Sequence, residues 1–171
     1  MQKPDAQARH RANELKEDVK RMLDNVNDPQ QELNLIDAIH RLGVAYHFES
    51  GIESALLRMH NSFTDGKDNS DDLHTVALRL RLLRQEGYNV SSNVFNKFKD
   101  GERSLKKSLV SDVQGLLSLY EAAYMGINGE DILDEAIAFT REKLKLALPQ
   151  RDSPLSTLVE LALEFSSAQA S

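Results

Sequence analysis

The chain has 171 residues, the size of one ordinary domain and long enough to bury roughly 70% of the surface its unfolded form exposes. Acidic residues outnumber basic ones 27 to 21, a formal charge of −6, and no basic run is interleaved with aromatics, which excludes a general nucleic-acid role. Cysteine is absent, so a disulfide framework and a thiolate metal site are excluded as well.

Four prolines and eight glycines are present, the glycines mainly between helical patterns, and strictly alternating β-branched runs are missing. Periodicity therefore predicts an all-α fold. No apolar stretch approaches the ~20 residues of a membrane span. The N-terminal MQKPDAQARHRANELKEDVK has no signal-peptide core and is too acidic for a typical transit peptide. The expectation is a soluble, cytoplasmic protein with neither membrane nor nucleic acid as a partner.

The first helix is predicted to begin near Asp5, after Pro4, with Ala12, Leu15, Val19, Met22 and Leu23 as its apolar stripe. Asp28-Pro29 reads as an N-cap followed by proline at the first helical position. Leu33, Ile36, Ile39 and Leu42 follow, and Gly43 stops the helix. After the short apolar connection Val44 to Phe48, Ser50 is predicted to cap a helix whose stripe is Ile52, Ala55, Leu56, Met59 and Phe63. Thr64 to Asp71, TDGKDNSD, contains no apolar residue and reads as an exposed loop.

The central run is Asp72 to Val90, DLHTVALRLRLLRQEGYNV. Leu73, Val76, Ala77, Leu80 and Leu83 form one stripe, and Leu78 and Leu82 fall outside it. A helix with two apolar faces needs covering on both sides and belongs in a middle layer. Gly87 sits where a left-handed residue would end it.

Ser91 or Ser92 is expected to cap a short helix through Val94, Phe95 and Phe98, broken by Lys99 to Glu102. Ser111 or Asp112 starts the next, with Val113, Leu116, Leu117, Tyr120 and Tyr124 on one face. Gly115 inside it predicts a close helix crossing. Asn128-Gly129 marks a turn before a long helix carrying Ile132, Leu133, Ala136, Ile137, Thr140, Leu144 and Ala147 as far as Pro149. Ser153-Pro154 opens a last amphipathic helix through Leu158, Val159, Ala162 and Leu163. The total is seven or eight helices, which can make a bundle or close into an α/α barrel; periodicity does not choose between them.

Three blocks carry a resemblance: NLIDAIHRLGVAYHFE (Asn34 to Glu49), RLRLLRQEGYNVS (Arg79 to Ser91) and GEDILDEAIAFTREKL (Gly129 to Leu144). In this order and at this spacing the chain resembles the N-terminal helical domain of plant terpene synthases, in the sesquiterpene branch, over Glu14 to Leu163. The resemblance implies an α/α-barrel-like array, akin to those of class II terpene cyclases and certain glycoside hydrolases. It also implies that the chemistry belongs to a second, C-terminal domain outside this sequence. There Mg²⁺ assists a carbon–oxygen lyase reaction that cyclises farnesyl diphosphate.

The residues were searched for chemistry of their own. A metal-assisted diphosphate site needs several carboxylates converging on Mg²⁺, usually as DDxxD on one helical face. Asp71-Asp72 lacks the third acid. Glu130-Asp131 with Asp134 and Glu135 imitates the pattern but stands at a helix start, where negative charge favours the helix dipole. Class II cyclases instead protonate an alkene with a DxDD motif, which needs a strong acid held neutral. Aligned on the RLLR run, that motif falls on Asp72, Leu73, His74 and Thr75, so only its first acid survives. The imidazole at His74 is too weak an acid to replace the proton donor.

None of His10, His40, His47, His60 and His74 forms HExxH or an i, i+4 pair, and they read as structural or solvated, with His47 between Tyr46 and Phe48 the one expected to pack. GxSxG, GxGxxG and the P-loop are missing. Arg79, Arg81 and Arg84 are expected to pair with carboxylates of this chain rather than bind an anion. Phe95, Phe98, Tyr120 and Tyr124 read as core.

Two departures from the family stand at the ends. Arg9-His10-Arg11 does not reproduce the RRx8W segment of many relatives, and tryptophan is absent. FSSAQAS, Phe165 to Ser171, is small and polar where a relative would continue toward its catalytic domain, which reads as truncation.

The sequence thus predicts a single domain over 1–171, frayed over 1–11 and 164–171, with no catalytic, cofactor-binding or metal-binding residue and no cofactor of its own. Its expected role is a non-catalytic scaffold whose partner is the terpene synthase C-terminal catalytic domain. Left without that partner, its apolar docking face is expected to pair two copies into a homodimer. The alternatives are a stand-alone helical interaction module pairing with full-length synthases, or a class II-type cyclase.

Overall fold

A computed structural model describes residues 6–64, 72–100, 104–126, 130–147 and 161, 163 and 164. The chain divides into two compact units, Met1–Asn69 and Ser70–Ser171. Among the described residues the structure is helical apart from one minimal hairpin, so the all-α expectation holds.

The first unit contains α1 (Ala6–Asn25), α2 (Pro29–Arg41) and α3 (Glu49–Thr64). Residues 6–11, expected to fray, are helical. Asp28 caps α2 by accepting from the Gln30 amide at 3.2 Å, with Pro29 at the first helical position. Gly43, at φ 74°, ends it: the Gly43 amide donates to His40 O at 3.0 Å and the Val44 amide to Ile39 O at 3.3 Å. This pair of bonds is a Schellman stop, and the left-handed residue it requires is why glycine stands there. Leu33, Ile36 and Ile39 are buried, but Leu42 is 77% exposed. It lies one residue past the helix, so it leaves the stripe that periodicity put it on.

Ser50 does not cap α3. The helix starts one residue earlier, the Ile52 amide donates to Phe48 O at 3.0 Å, and Ser50 lies in the first turn. Ile52, Ala55, Leu56 and Met59 are buried as expected, together with Phe48. Glu32 is buried against the same helix pair, its carboxylate 3.4 Å from the Arg58 guanidinium. The first helix behaves differently. Leu23 alone is buried on α1, while Leu15 and Met22 are 47% and 54% exposed, so most of its stripe is uncovered. The expected loop at 65–71 lies outside the described residues.

The second unit is built around α4 (Leu73–Gln85), which packs mainly against α5 (Val113–Ala123); α5 packs in turn against α6 (Asp131–Ala147). Ten of the thirteen α4 residues are buried, on all sides of the helix, as the two apolar faces require. Gly87, at φ 89°, closes a second Schellman stop, with the Gly87 amide on Arg84 O and the Tyr88 amide on Leu83 O, both at 3.0 Å.

The next element differs in kind from the expected short α-helix. Ser91 does cap it, accepting from the Asn93 amide at 3.2 Å, but Ser92–Phe98 is a 3-10 stretch. It runs into β1 (Lys99–Asp100), paired antiparallel with β2 (Ser104–Leu105). The segment expected only to break a helix is therefore the start of a hairpin. A further 3-10 turn, Lys107–Ser111, leads to α5.

Asp112 caps α5, accepting from the Gly115 amide at 2.9 Å. This bond gives Gly115 a local reason beside the expected helix crossing. A methyl group at Gly115 would lie 2.7 Å from Asp112 Cγ, so the glycine makes room for the capping carboxylate. Val113, Leu116, Leu119 and Tyr120 are buried and Leu117 is half-buried, whereas Tyr124, expected on the inner face, is 42% exposed. Ile132, Leu133, Ala136, Thr140 and Leu144 form the buried face of α6. The turn at Asn128-Gly129, the stop at Pro149 and nearly all of the last predicted helix lie outside the described residues.

Candidate functional site

The start of α4 is where the sequence places a potential acid, and each polar side chain there has a local occupation. Asp72 is the N-cap: its Oδ1 accepts from the Thr75 amide at 2.9 Å. Burial works to raise its carboxyl, but hydrogen bonds from the Thr75 hydroxyl and amide and the field of His74 outweigh that and hold it below the ordinary carboxylate range. A carboxylate so stabilised stays ionised, the opposite of what alkene protonation requires.

His74 is buried and points at α5, with Nδ1 2.6 Å from Ser118 Oγ. Thr75, also buried, serves the Asp72 cap. The histidine that packs is therefore His74, not the expected His47. His47 is exposed, its ring 4.0 Å from that of Tyr46 on the rim of a short 3-10 turn. A histidine in a helix with two apolar faces is buried by its neighbours; one at a turn between two helices is not.

Arg81 and Arg84 meet carboxylates as expected, and Arg79 is buried. Arg81 Nε is 3.5 Å from Glu121 Oε2. Arg84 does most. Its Nη1 and Nη2 reach the two Glu130 oxygens at 2.7 and 2.8 Å, Nη1 also donates to Met125 O at 2.9 Å, and Nε and Nη2 donate to Val90 O at 3.1 and 2.6 Å. This is the forked geometry that only guanidinium supplies.

The EDxxDE run is thereby dispersed. Glu130 belongs to Arg84 and its carbonyl accepts from the Leu133 amide at 3.0 Å, while Asp131, Asp134 and Glu135 are exposed. Among the described residues no group of three or more His, Asp and Glu stands close enough to hold a metal ion. A divalent cation of the kind terpene cyclisation uses thus finds no fitting donor set here. Phe95 and Tyr120 are core, Phe98 is half-buried, and the Tyr120 and Tyr124 hydroxyls lie 3.1 Å apart. A surface depression on unit one is lined by His10, Asn13, Glu14, Glu17, Asp18 and Arg21, all on the polar flank of α1. His10–Glu14, Arg11–Glu14 and Arg21–Asp18 pair within that helix, so it is a solvated flank.

The profile of the family described as "Terpene synthase, N-terminal domain" matches residues 1–163. The chain belongs to the terpene synthases, as their N-terminal domain. This N-terminal domain is 59% identical to beta-cubebene synthase of Magnolia grandiflora over 155 residues, 91% of this chain and 28% of that protein. It is 58% identical to a sesquiterpene synthase of Cananga odorata over 157 residues, 91% of this chain and 27% of that protein. Isoprene synthase of grey poplar, solved with three Mg²⁺ ions and dimethylallyl-S-thiolodiphosphate, superposes with a TM-score of 0.83 at 39% identity, over 90% of this chain and 30% of its own. The terpene synthase domain thus spans under a third of the length of the relatives it matches. Their helical fold is the fold of this chain.

Sequence reasoning missed three occupations. Asp72 directly precedes an apolar-periodic run, which is a cap signature and was legible. Ser118 and Glu130 carried no signal, because their partners lie 44 and 46 residues away.

Proposed function

We propose that residues 1–171 act as one non-catalytic scaffold domain of a sesquiterpene-synthase-like protein. In the complete protein a C-terminal domain would carry out the Mg²⁺-dependent cyclisation of farnesyl diphosphate. The observation that carries this reading is the start of α4, where Asp72 caps the helix, Thr75 serves that cap and His74 bonds Ser118. Each polar group at that helix start is committed to structure. The identities of 59% and 58% to beta-cubebene synthase and to a sesquiterpene synthase support the branch.

The purified chain incubated with farnesyl or geranylgeranyl diphosphate and Mg²⁺ should release no terpene. A volatile or hydrolysed product above the no-protein control, absent in H74A, would overturn the reading. The partner is the catalytic domain: the chain supplied in trans should raise the soluble yield or turnover of the C-terminal remainder of beta-cubebene synthase. Exposed Leu15, Leu42 and Tyr46 support a second copy covering the apolar surface when the chain is alone, which sedimentation would read as a dimer. No described helix is long and apolar enough to cross a membrane. A cytoplasmic site of action is part of the same proposal, read by a fluorescent fusion of the full-length protein.

A further inference from the structure

We infer that α6 is a separately detachable element of the second unit, latched by Arg84. The core of that unit is the α4–α5 pair, where α4 alone buries ten residues. The α6 helix packs on α5, on the 3-10 stretch Ser92–Phe98 and on β2, burying a narrower face and leaving Leu146 exposed. Among the described residues the Arg84 guanidinium ties it to α4. Arg84 holds Glu130, the residue that opens α6, through both carboxylate oxygens.

The same guanidinium also holds Met125 O, in the turn just past α5, and Val90 O, in the segment leaving α4. The two ends of the α5–α6 connection are therefore pinned to one side chain. Arg84 is 7% exposed and Glu130 17%, so the pair is shielded enough to be strong and close enough to solvent for its groups to rehydrate when it opens.

Gly126 allows a close approach at the start of this connection. An added methyl would lie 3.1 Å from Ala123 O and 3.3 Å from Leu133 Cδ1, so the turn lies directly against the first turn of α6. Leu133, fully buried in the first turn of α6, stands three residues after Glu130. Once the clamp opens, the Arg84 bonds to Glu130, Met125 O and Val90 O are lost together. The physical expectation is a cooperative local opening of α6 with α4 and α5 left in place.

Arg84 is a positioning residue in this account, and the test reads position rather than total stability. Hydrogen exchange of the full chain, followed by peptides over 73–85, 113–123 and 133–144, is compared among wild type, R84M, R84K and E130Q. In E130Q, exchange over 133–144 should rise by roughly 100-fold, while 73–85 and 113–123 keep their protection. R84K should resemble R84M, because donors on one ammonium nitrogen cannot spread as the planar guanidinium fork does to reach the separated acceptors. Equal loss of protection in all three peptides, or none in 133–144 of E130Q, overturns the latch. Should R84M fail to fold, E130Q decides alone, since it keeps the shape of Glu130 while removing its charge and one of the two acceptors that Arg84 uses.

Discussion

The helices α1 and α4 both carry apolar residues at three- and four-residue steps, yet one buries a single side chain and the other buries ten. The difference lies in the rest of each helix. In α1 the positions around the stripe are Glu, Lys, Asp and Arg, paired among themselves along the helix. In α4 a second row, Leu78 and Leu82, fills the opposite side, and Arg81 and Arg84 are drawn inward by carboxylates. A stripe establishes that a segment is helical and which side prefers to leave water. Covering needs apolar surface on other elements, and only α4 demands it from two directions.

That contrast can be broken by mutation. The largest effect belongs to Leu83→Ala on α4: with no exposed surface, the lost side chain leaves a cavity and should cost about 2–5 kcal/mol, read by urea unfolding. An equal cost for Met22→Ala on α1 would erase the distinction. Next comes Gly87→Ala, where φ 89° places a methyl group in the left-handed region and should cost about 1–2 kcal/mol, measured as a fall in Tm.

Asp72→Ala removes a cap and should cost about 1 kcal/mol near neutral pH. Its pH dependence sharpens the point. The Asp72 carboxyl lies below the ordinary range when folded, so its contribution is fully present above the unfolded value near about 3.9 and is lost as pH falls through the lower folded value. Asp72→Asn keeps the acceptor without titrating, so its unfolding free energy should be flatter than that of wild type below pH ~4. The smallest effect belongs to Met22→Ala, within about 0.5 kcal/mol in the isolated chain, because its side chain is largely in water already. A larger loss would mean that α1 is covered in solution, by a second copy for instance, and should then depend on protein concentration.

Much of the helical layout was legible. The Asp28-Pro29 start and the Gly43 and Gly87 stops emerged because caps and left-handed glycines act over four or five residues. The failures are also local in kind. Leu42 fits the period but lies past the stop, and Ser50 is a good cap residue one step inside a helix that Phe48 opens. Gly115 makes room for a capping carboxylate, a reason that the helix pattern did not reveal. At the candidate site, the missing second and third acids were readable, but the occupation of the remaining groups was not.

By itself the sequence determined an all-α chain, the ends of several helices, the doubly apolar character of α4, and membership in the terpene synthases through three separated blocks. Those properties rest on backbone geometry and on patterns within one element. Tertiary structure alone decided that His74 rather than His47 is buried, that Ser118 meets it, and that Glu130, 46 residues from Arg84, closes the clamp. Such pairings depend on which surfaces are brought together after the helices form, and hydrophobic burial, being non-directional, leaves that choice to the packing of the whole unit.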